Sequence, residues 1–251
     1  MAHTLRTRFK KEILAEFLPP RQPSNRVIIL LDGLPSLPAK REVLEYFSRL
    51  GYWAFHIRYR GTWESGGLFL SKSPDQDVID TIDGLKNGFT EYWGGRQFKI
   101  KNPRVFLVGT SFGGCTAILA SRDKRVKKAV ALSPVVDWQV ESRIEPIQKL
   151  ATFVARAFGA VYRVERRDWD KLKNGKFFNP IAHEREIDGR KLLIIHAKND
   201  LVVPWKPTSG FAKRTGSKLV IARTGGHLRL AAAIKKPYAR RVALFLRTRT
   251  T

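Results

Sequence analysis

The chain has 251 residues, 43% hydrophobic and 27% charged, which suits one folded domain with a full core over residues 1–251. Its single cysteine, Cys115, excludes an internal disulfide and fits a reducing compartment, and no stretch approaches the roughly 18 apolar residues that span a bilayer. Lys and Arg number 47 against 22 Asp and Glu, a net charge of +25. That charge permits attraction to polyanions. The cations are spread along the whole chain, however, and no RNA-binding signature or zinc-finger spacing accompanies them, so no specific nucleic-acid binding is expected. After Asp200 there is no acidic residue, while Lys206, Lys213, Arg214, Lys218, Arg223, Arg229, Lys235, Lys236, Arg240, Arg241, Arg247 and Arg249 follow. The basic N-terminus has no continuous apolar stretch of the signal-peptide kind, and the expectation is a cytoplasmic protein.

Apolar runs alternate with helical segments. Residues 12–18 and 26–33 are predicted strands. Residues 39–51 carry Val43, Leu44, Phe47 and Leu50 at helical spacing and end at Gly51. A strand is expected over 52–61 and a helix over 75–89, with Val78, Ile79, Ile82 and Leu85 on one side. The strand at 104–109 runs into a helix after Ser111. Strands over 127–134, 191–200 and 218–227 follow, and residues 228–248 are read as a closing helix with Pro237 as a break or kink. Near-continuous apolar strands separated by helices predict an α/β fold, with a mostly parallel sheet covered on both faces. Residues 138–180 are too long for one crossover helix and carry seven aromatic residues from Trp138 to Phe178. They are read as a helical insertion, a cap or lid over the strand ends.

Gly109-Thr110-Ser111-Phe112-Gly113 has the G-x-S-x-G pattern, between a buried strand and a helix. In that setting the pattern is a nucleophile elbow: a strained turn exposes the serine hydroxyl, and glycines replace side chains that would collide with neighbouring backbone. A serine nucleophile needs a base and a group that orients the base, expected here in the order Ser, acid, His. Of the histidines after Ser111, His183 lies in polar sequence and His196 inside a strand. His227 follows the last strand in a glycine-containing loop, and is the candidate base. Asp200, at the end of a strand, is the candidate acid, with Asp137 one strand earlier as the alternative. Oxyanion donors are expected from the backbone N–H of Phe112 and of Leu34, which follows Gly33; Pro35 has no N–H to offer. Trp63, Trp138 and Trp169 are candidate substrate contacts. No metal site and no cofactor are expected, and Cys115 is read as a packed helix residue.

The segments LDGLPS, RYRGTWESGG, GTSFGG, HAKNDLVVPW and TGGH occur in an order that resembles the α/β-hydrolases. Within them, residues 58–70 resemble a loop of prolyl-oligopeptidase-like hydrolases and of small esterases, including the cinnamoyl and feruloyl type. Many of those have His-Gly where this chain has Asp32-Gly33, and the large peptidases carry a propeller for which there is no room here. The resemblance implies an α/β-hydrolase fold and a stand-alone serine hydrolase, monomeric or dimeric, acting on a small-molecule ester. Three alternatives stay open. A peptidase or aminopeptidase could hold a substrate amine with Glu64, Glu141 or Glu145. A thioesterase would suit the positive charge. A basic binding protein could be built on the same fold.

Overall fold

The computed structural model describes residues 3–142 and 144–248; Arg249 of the basic tail and position 143 of the insertion lie outside that set. Among the described residues, ten strands and seven α-helices follow in chain order. The first part holds β1 (Leu5–Phe9), β2 (Ile13–Leu18), β3 (Arg26–Leu31), α1 (Arg41–Arg49), β4 (Trp53–Ile57) and α2 (Pro74–Asn87), then a short hairpin of β5 (Phe89–Thr90) and β6 (Gln97–Phe98). Then come β7 (Arg104–Thr110), α3 (Phe112–Ala120), β8 (Val126–Leu132), α4 (Ile147–Phe158) and α5 (Arg166–Asp170). The chain continues with β9 (Leu192–Ala197), α6 (Trp205–Thr215), β10 (Lys218–Ala222) and α7 (Ala239–Arg247).

Eight strands form one sheet in the order β1-β2-β4-β3-β7-β8-β9-β10. The pairs β1–β2 and β2–β4 are antiparallel, and every pair from β4 to β10 is parallel. The central strands are apolar throughout because both faces are covered. Successive residues face opposite ways. Val27, Ile29, Leu31, Val105 and Leu107 join a core under α2, α3 and the insertion, whereas Ile28, Leu30, Phe106 and Val108 join a second core under α1 and α7. Helix α3 is buried at all nine positions, so its amphipathic pattern is erased. Cys115 lies inside it, fully buried, and burial pushes its thiol well above the ordinary value.

After β3 the chain crosses through α1 to β4 on one side, and β7 lies on the other side of β3. A parallel sheet wound in this way opens a crevice at the carboxyl ends of the strands where the winding reverses. Here those ends carry Gly33 and Ser111.

Several expected elements are corrected. The N-terminal basic segment contains β1, whose Thr7 and Phe9 are buried against the sheet. The strand expected over 52–61 stops at Ile57. Beyond it, the buried Arg60 is drawn off the ladder by Glu12, Asp77 and Asp80. The closing helix is not continuous over 228–248: a short 3-10 turn (Leu230–Ile234) and a cis Lys236–Pro237 bond precede α7. Pro237 cannot donate to a helix ladder, which accounts for the interruption. Helix α6 has no counterpart in the expected elements. The insertion is helical, with α4, α5 and 3-10 turns. It is fastened to the loop after β4 by hydrogen bonds between Trp63 N and Val161 O (2.8 Å), Arg163 N and Gly61 O (2.8 Å), and Phe69 N and Arg163 O (2.7 Å).

β4 carries an unusual buried group, His56, beside Asp32 (3.8 Å). Burial, outweighing attraction to Asp32, lowers its pKa from 6.5 to about 4. The folded state therefore holds the ring neutral at pH values where the unfolded chain protonates it. Stability tied to this group is complete above pH 6.5 and falls as pH drops from 6.5 towards about 4. Between pH 7 and pH 5, urea unfolding should show wild type losing about 2 kcal/mol more than His56→Gln. Parallel pH profiles for the two proteins would contradict this.

Candidate active site

Ser111 sits between β7 and α3 with φ 54° and ψ −118°. A left-handed φ is strained for a residue with a Cβ, and close packing maintains it here. A Cβ on Gly109 would lie 1.9 Å from Gly113 O, and one on Gly113 would lie 2.2 Å from Leu31 O. Only bare backbone lets α3 approach β3 and β7 this closely. The elbow is also tied to β8, because Ser111 N donates to Leu132 O at 2.9 Å.

The loop after β3 comes in from the other side. A Cβ on Gly33 would be 3.4 Å from Ser111 Cβ, so the Gly33–Leu34 backbone lies against the serine. Among the described residues, no acceptor takes the N–H of Leu34 or of Phe112. Asp32, where many relatives by resemblance carry histidine, turns back on its own loop. It accepts from Gly33 N at 3.1 Å and pairs with Lys40 at 2.6 Å.

Asp200 lies in the loop after β9, its side chain fully buried. Oδ1 accepts from the backbone N–H groups of Val202 and Val203, both at 2.9 Å. Oδ2 faces two imidazoles, His227 Nδ1 at 2.9 Å and His196 Nε2 at 3.2 Å. Burial alone would raise the Asp200 pKa. The hydrogen bonds from His196, His227 and Val203 and the attraction of His227 outweigh it and hold the carboxyl well below its ordinary range. The loop carrying His227 is fastened at both ends: Gly226 N donates to Asn199 Oδ1 (2.9 Å) and Leu228 N to Ser133 Oγ (3.1 Å). Thr110, next to the serine, donates its hydroxyl to Leu228 O.

Of the two carboxylates considered in the sequence, Asp200 is bonded to His227. Asp137 accepts instead from Gln139 N (3.0 Å) and Asn179 Nδ2 (3.2 Å). His183 belongs to a surface cluster with Arg122 and Glu186. His196 is buried in β9, as its strand position implied, but its ring reaches Asp200 and Val203 O (3.0 Å), a contact that strand periodicity does not reveal.

A narrow cavity of about 60 Å³ opens on Ser111. Leu34, Phe112, Val136, Trp138, Ile147 and Leu150 form much of its apolar wall, so the insertion supplies one side of it. Among the described residues, the charged ones in its lining are Asp137, Glu141 and Glu145. Trp138 is in that wall. Trp63 and Trp169, the other two candidate substrate contacts, lie outside that wall. Trp63 faces a separate small cavity behind Asp32 and donates Nε1–H to Ser36 O at 3.2 Å. Trp169 is buried against Phe69, with centroids 6.2 Å apart. Glu64 pairs with Arg6 and Arg58 rather than facing the cavity. Among the described residues, no cluster of three or more His, Cys, Asp or Glu side chains could hold a metal ion, and no helix is long and apolar enough to cross a membrane.

A mostly parallel sheet with a strained serine at one strand end and an acid–histidine pair at later ones defines an α/β-hydrolase. Residues 15–184 match the X-Pro dipeptidyl-peptidase (S15) family, and the chain belongs to that family of hydrolases. The match includes Ser111 and ends before Asp200 and His227. No curated protein matches the chain by sequence. Among solved structures, the chain is similar to the Pyrococcus furiosus esterase Pf2001 at 18% identity, covering 99% of this chain and 91% of that one with a TM-score of 0.71. It is similar to the α/β hydrolase GrgF from Penicillium at 16% identity, 93% of each chain and a TM-score of 0.68. It is also similar to the Pyrococcus horikoshii acylaminoacyl peptidase at 16% identity, covering 100% of this chain and 43% of that one, with a TM-score of 0.63. At these identities the likeness is one of fold.

The backbone contact at the elbow is directly testable. Gly113→Ala should lower unfolding free energy by at least about 2 kcal/mol in urea, since the new methyl meets backbone rather than a movable side chain. Gly66→Ala, whose Cβ would have its nearest neighbour at 3.5 Å, should stay within about 1 kcal/mol of wild type.

Proposed function

We propose that the chain is a cofactor-free serine hydrolase that cleaves carboxylic esters of small substrates through an acyl-enzyme intermediate. The hydrogen bond of the buried Asp200 to His227 Nδ1, on a loop fastened to the serine elbow, carries this reading. Asp200 keeps the Nδ1 proton on its own side of the ring, which leaves Nε2 free to act as base. Ser111 Oγ attacks the acyl carbon as His227 takes its proton. The N–H groups of Phe112 and Leu34, which have no acceptor among the described residues, bind the developing oxyanion. His227 then returns the proton to the leaving alcohol. Water, deprotonated by the same ring, releases the acid and regenerates Ser111. The insertion acts as a lid: Trp138, Ile147 and Leu150 wall the narrow cavity at Ser111, so an outward movement of this wall would widen the way in for larger acyl groups.

One observation favours a second reading, a peptidase acting on a free amino terminus. In a protein of net charge +25, the charged residues of the cavity among those described are Asp137, Glu141 and Glu145. Such a wall attracts a substrate ammonium and repels a carboxylate.

The deciding assay compares a p-nitrophenyl ester series, from acetate to dodecanoate, with aminoacyl and dipeptidyl p-nitroanilides. Wild type should turn over short esters, Ser111→Ala should lose at least about 10³-fold in kcat/KM, and Asp200→Asn about 10²- to 10⁴-fold. Turnover confined to anilides with a free amine would replace the esterase reading with the peptidase. Activity that survives in Ser111→Ala would overturn both.

A further inference from the structure

The end of the sheet away from Ser111 has no role in hydrolysis, and it is lined with cations. Five neighbouring strands begin with them in spatial order: Arg26 opens β3, Arg104 opens β7, Lys127 and Lys128 stand second and third in β8, Lys191 directly precedes β9, and Lys218 opens β10. The parallel register sets Arg26 opposite Arg104. At a strand spacing of about 4.8 Å the row runs for roughly 20 Å. Helix α7 packs beside the row: its last turn brings the exposed Arg247 toward Arg26, and its first turn carries the exposed Arg240 and Arg241 along the flank of β10, Arg241 reaching a cavity lined by Ala222 and Gly225 at that strand's carboxyl end. Lys218, Arg240 and Arg241 border an open groove between α7 and β10 that no carboxylate of the described residues lines.

The acids near this end are already occupied, Asp123 by Arg125 (2.7 Å) and Asp188 by Arg190 (3.0 Å). Among the described residues, Arg104, Lys218, Arg240, Arg241 and Arg247 have no carboxylate partner. The crowding is felt inside the row. Burial lowers the pKa of Arg26, and Arg104 and Arg247 depress it further despite the Tyr52 ring 3.9 Å beneath it. Lys128 is lowered by burial and then by Lys218. Both lysines lie over the Phe245 ring, at 4.5 and 5.8 Å. Like charges held together without counter-charge destabilise the fold, so a neutralising group would come from outside it.

We propose that this edge, from Arg26 to Lys218 with Arg240, Arg241 and Arg247, is a docking surface for the phosphodiester backbone of a nucleic acid, bound without regard to base sequence. A linear row of cations matches a linear chain of phosphates. A membrane surface would also want several apolar side chains, and of the exposed large hydrophobic residues among those described only Leu244 belongs to this edge. Among the described residues no exposed aromatic ring stands there to stack on bases, which leaves backbone contact alone.

The test is fluorescence anisotropy of labelled single- and double-stranded oligonucleotides of unrelated sequence between about 50 and about 200 mM salt. Arg104, Lys218, Arg240 and Arg241 are changed together to Gln. The charge-matched control changes the exposed Lys10, Lys86, Lys149 and Arg156 to Gln, and circular dichroism checks that both fold. The edge variant should bind at least about 10-fold more weakly, with a salt slope shallower by about 0.9 for each phosphate that is no longer neutralised, while the control should stay within about 2-fold of wild type. Equal weakening in both variants would reduce the effect to net charge and overturn the proposal. So would the absence of wild-type binding near about 150 mM salt, or binding to phosphatidylserine vesicles but not to oligonucleotides. Because the readout is binding, a failure of the ester assay leaves this proposal standing, and the reverse also holds.

Discussion

The contact of backbone against backbone at Gly109 and Gly113 determines the geometry of the carboxyl end of the sheet. It brings the start of α3 against β3, forces Ser111 into a left-handed turn, and sets the Gly33–Leu34 loop beside it. The N–H groups of Leu34 and Phe112, on a strand-end loop and a helix start, have no acceptor among the described residues. The helix N-terminus adds a favourable field for negative charge beside Ser111. A side chain at either glycine would separate the layers, and the site would lose its donors and its hydroxyl together.

Asp200 supplies the second constraint. An ionised carboxylate with a fully buried side chain is costly unless every oxygen is satisfied. Two backbone amides take Oδ1 and two imidazoles face Oδ2, so desolvation is outweighed. His196 bonds Val203 O through Nε2, which fixes that nitrogen as protonated and thus as a donor to Asp200 as well. The arrangement holds the carboxylate in one orientation whether or not His227 is charged.

Much of this was legible in the sequence because strong local patterns and tertiary context agree. The apolar strands, the elbow with its flanking glycines, and the Asp-before-His order all sit on elements whose burial the pattern already implied. The misreadings occur where local signals oppose the tertiary outcome. The segment of β1 holds two arginines among its five residues and forms only because β2 offers an antiparallel partner. Helix α6 contains Pro207 and Gly210, both helix breakers by propensity. Pro207 is tolerated in the first turn, and Phe211 and Ala212 are buried in the core. Trp63 and Trp169 are aromatic residues near the site in sequence terms, yet packing gives one to a side cavity and one to the core. Aromatic identity carries no direction, and neither does the position of His196 within its strand.

The charge of the molecule has a polarity that its composition hides. Among the described residues the cavity wall is acidic, whereas the opposite end of the sheet is a row of cations. The seven residues of β7 separate the two ends by about 23 Å at 3.3 Å per residue, nearly three Debye lengths of about 8 Å in physiological salt. Screening therefore keeps the cationic edge from setting the potential felt at Ser111, and Asp137, Glu141 and Glu145 act there at short range. A polyanion seated on the far edge would leave the crevice open. The fold can thus serve two opposite electrostatic preferences, because a parallel sheet presents all its strand starts at one end and all its strand ends at the other.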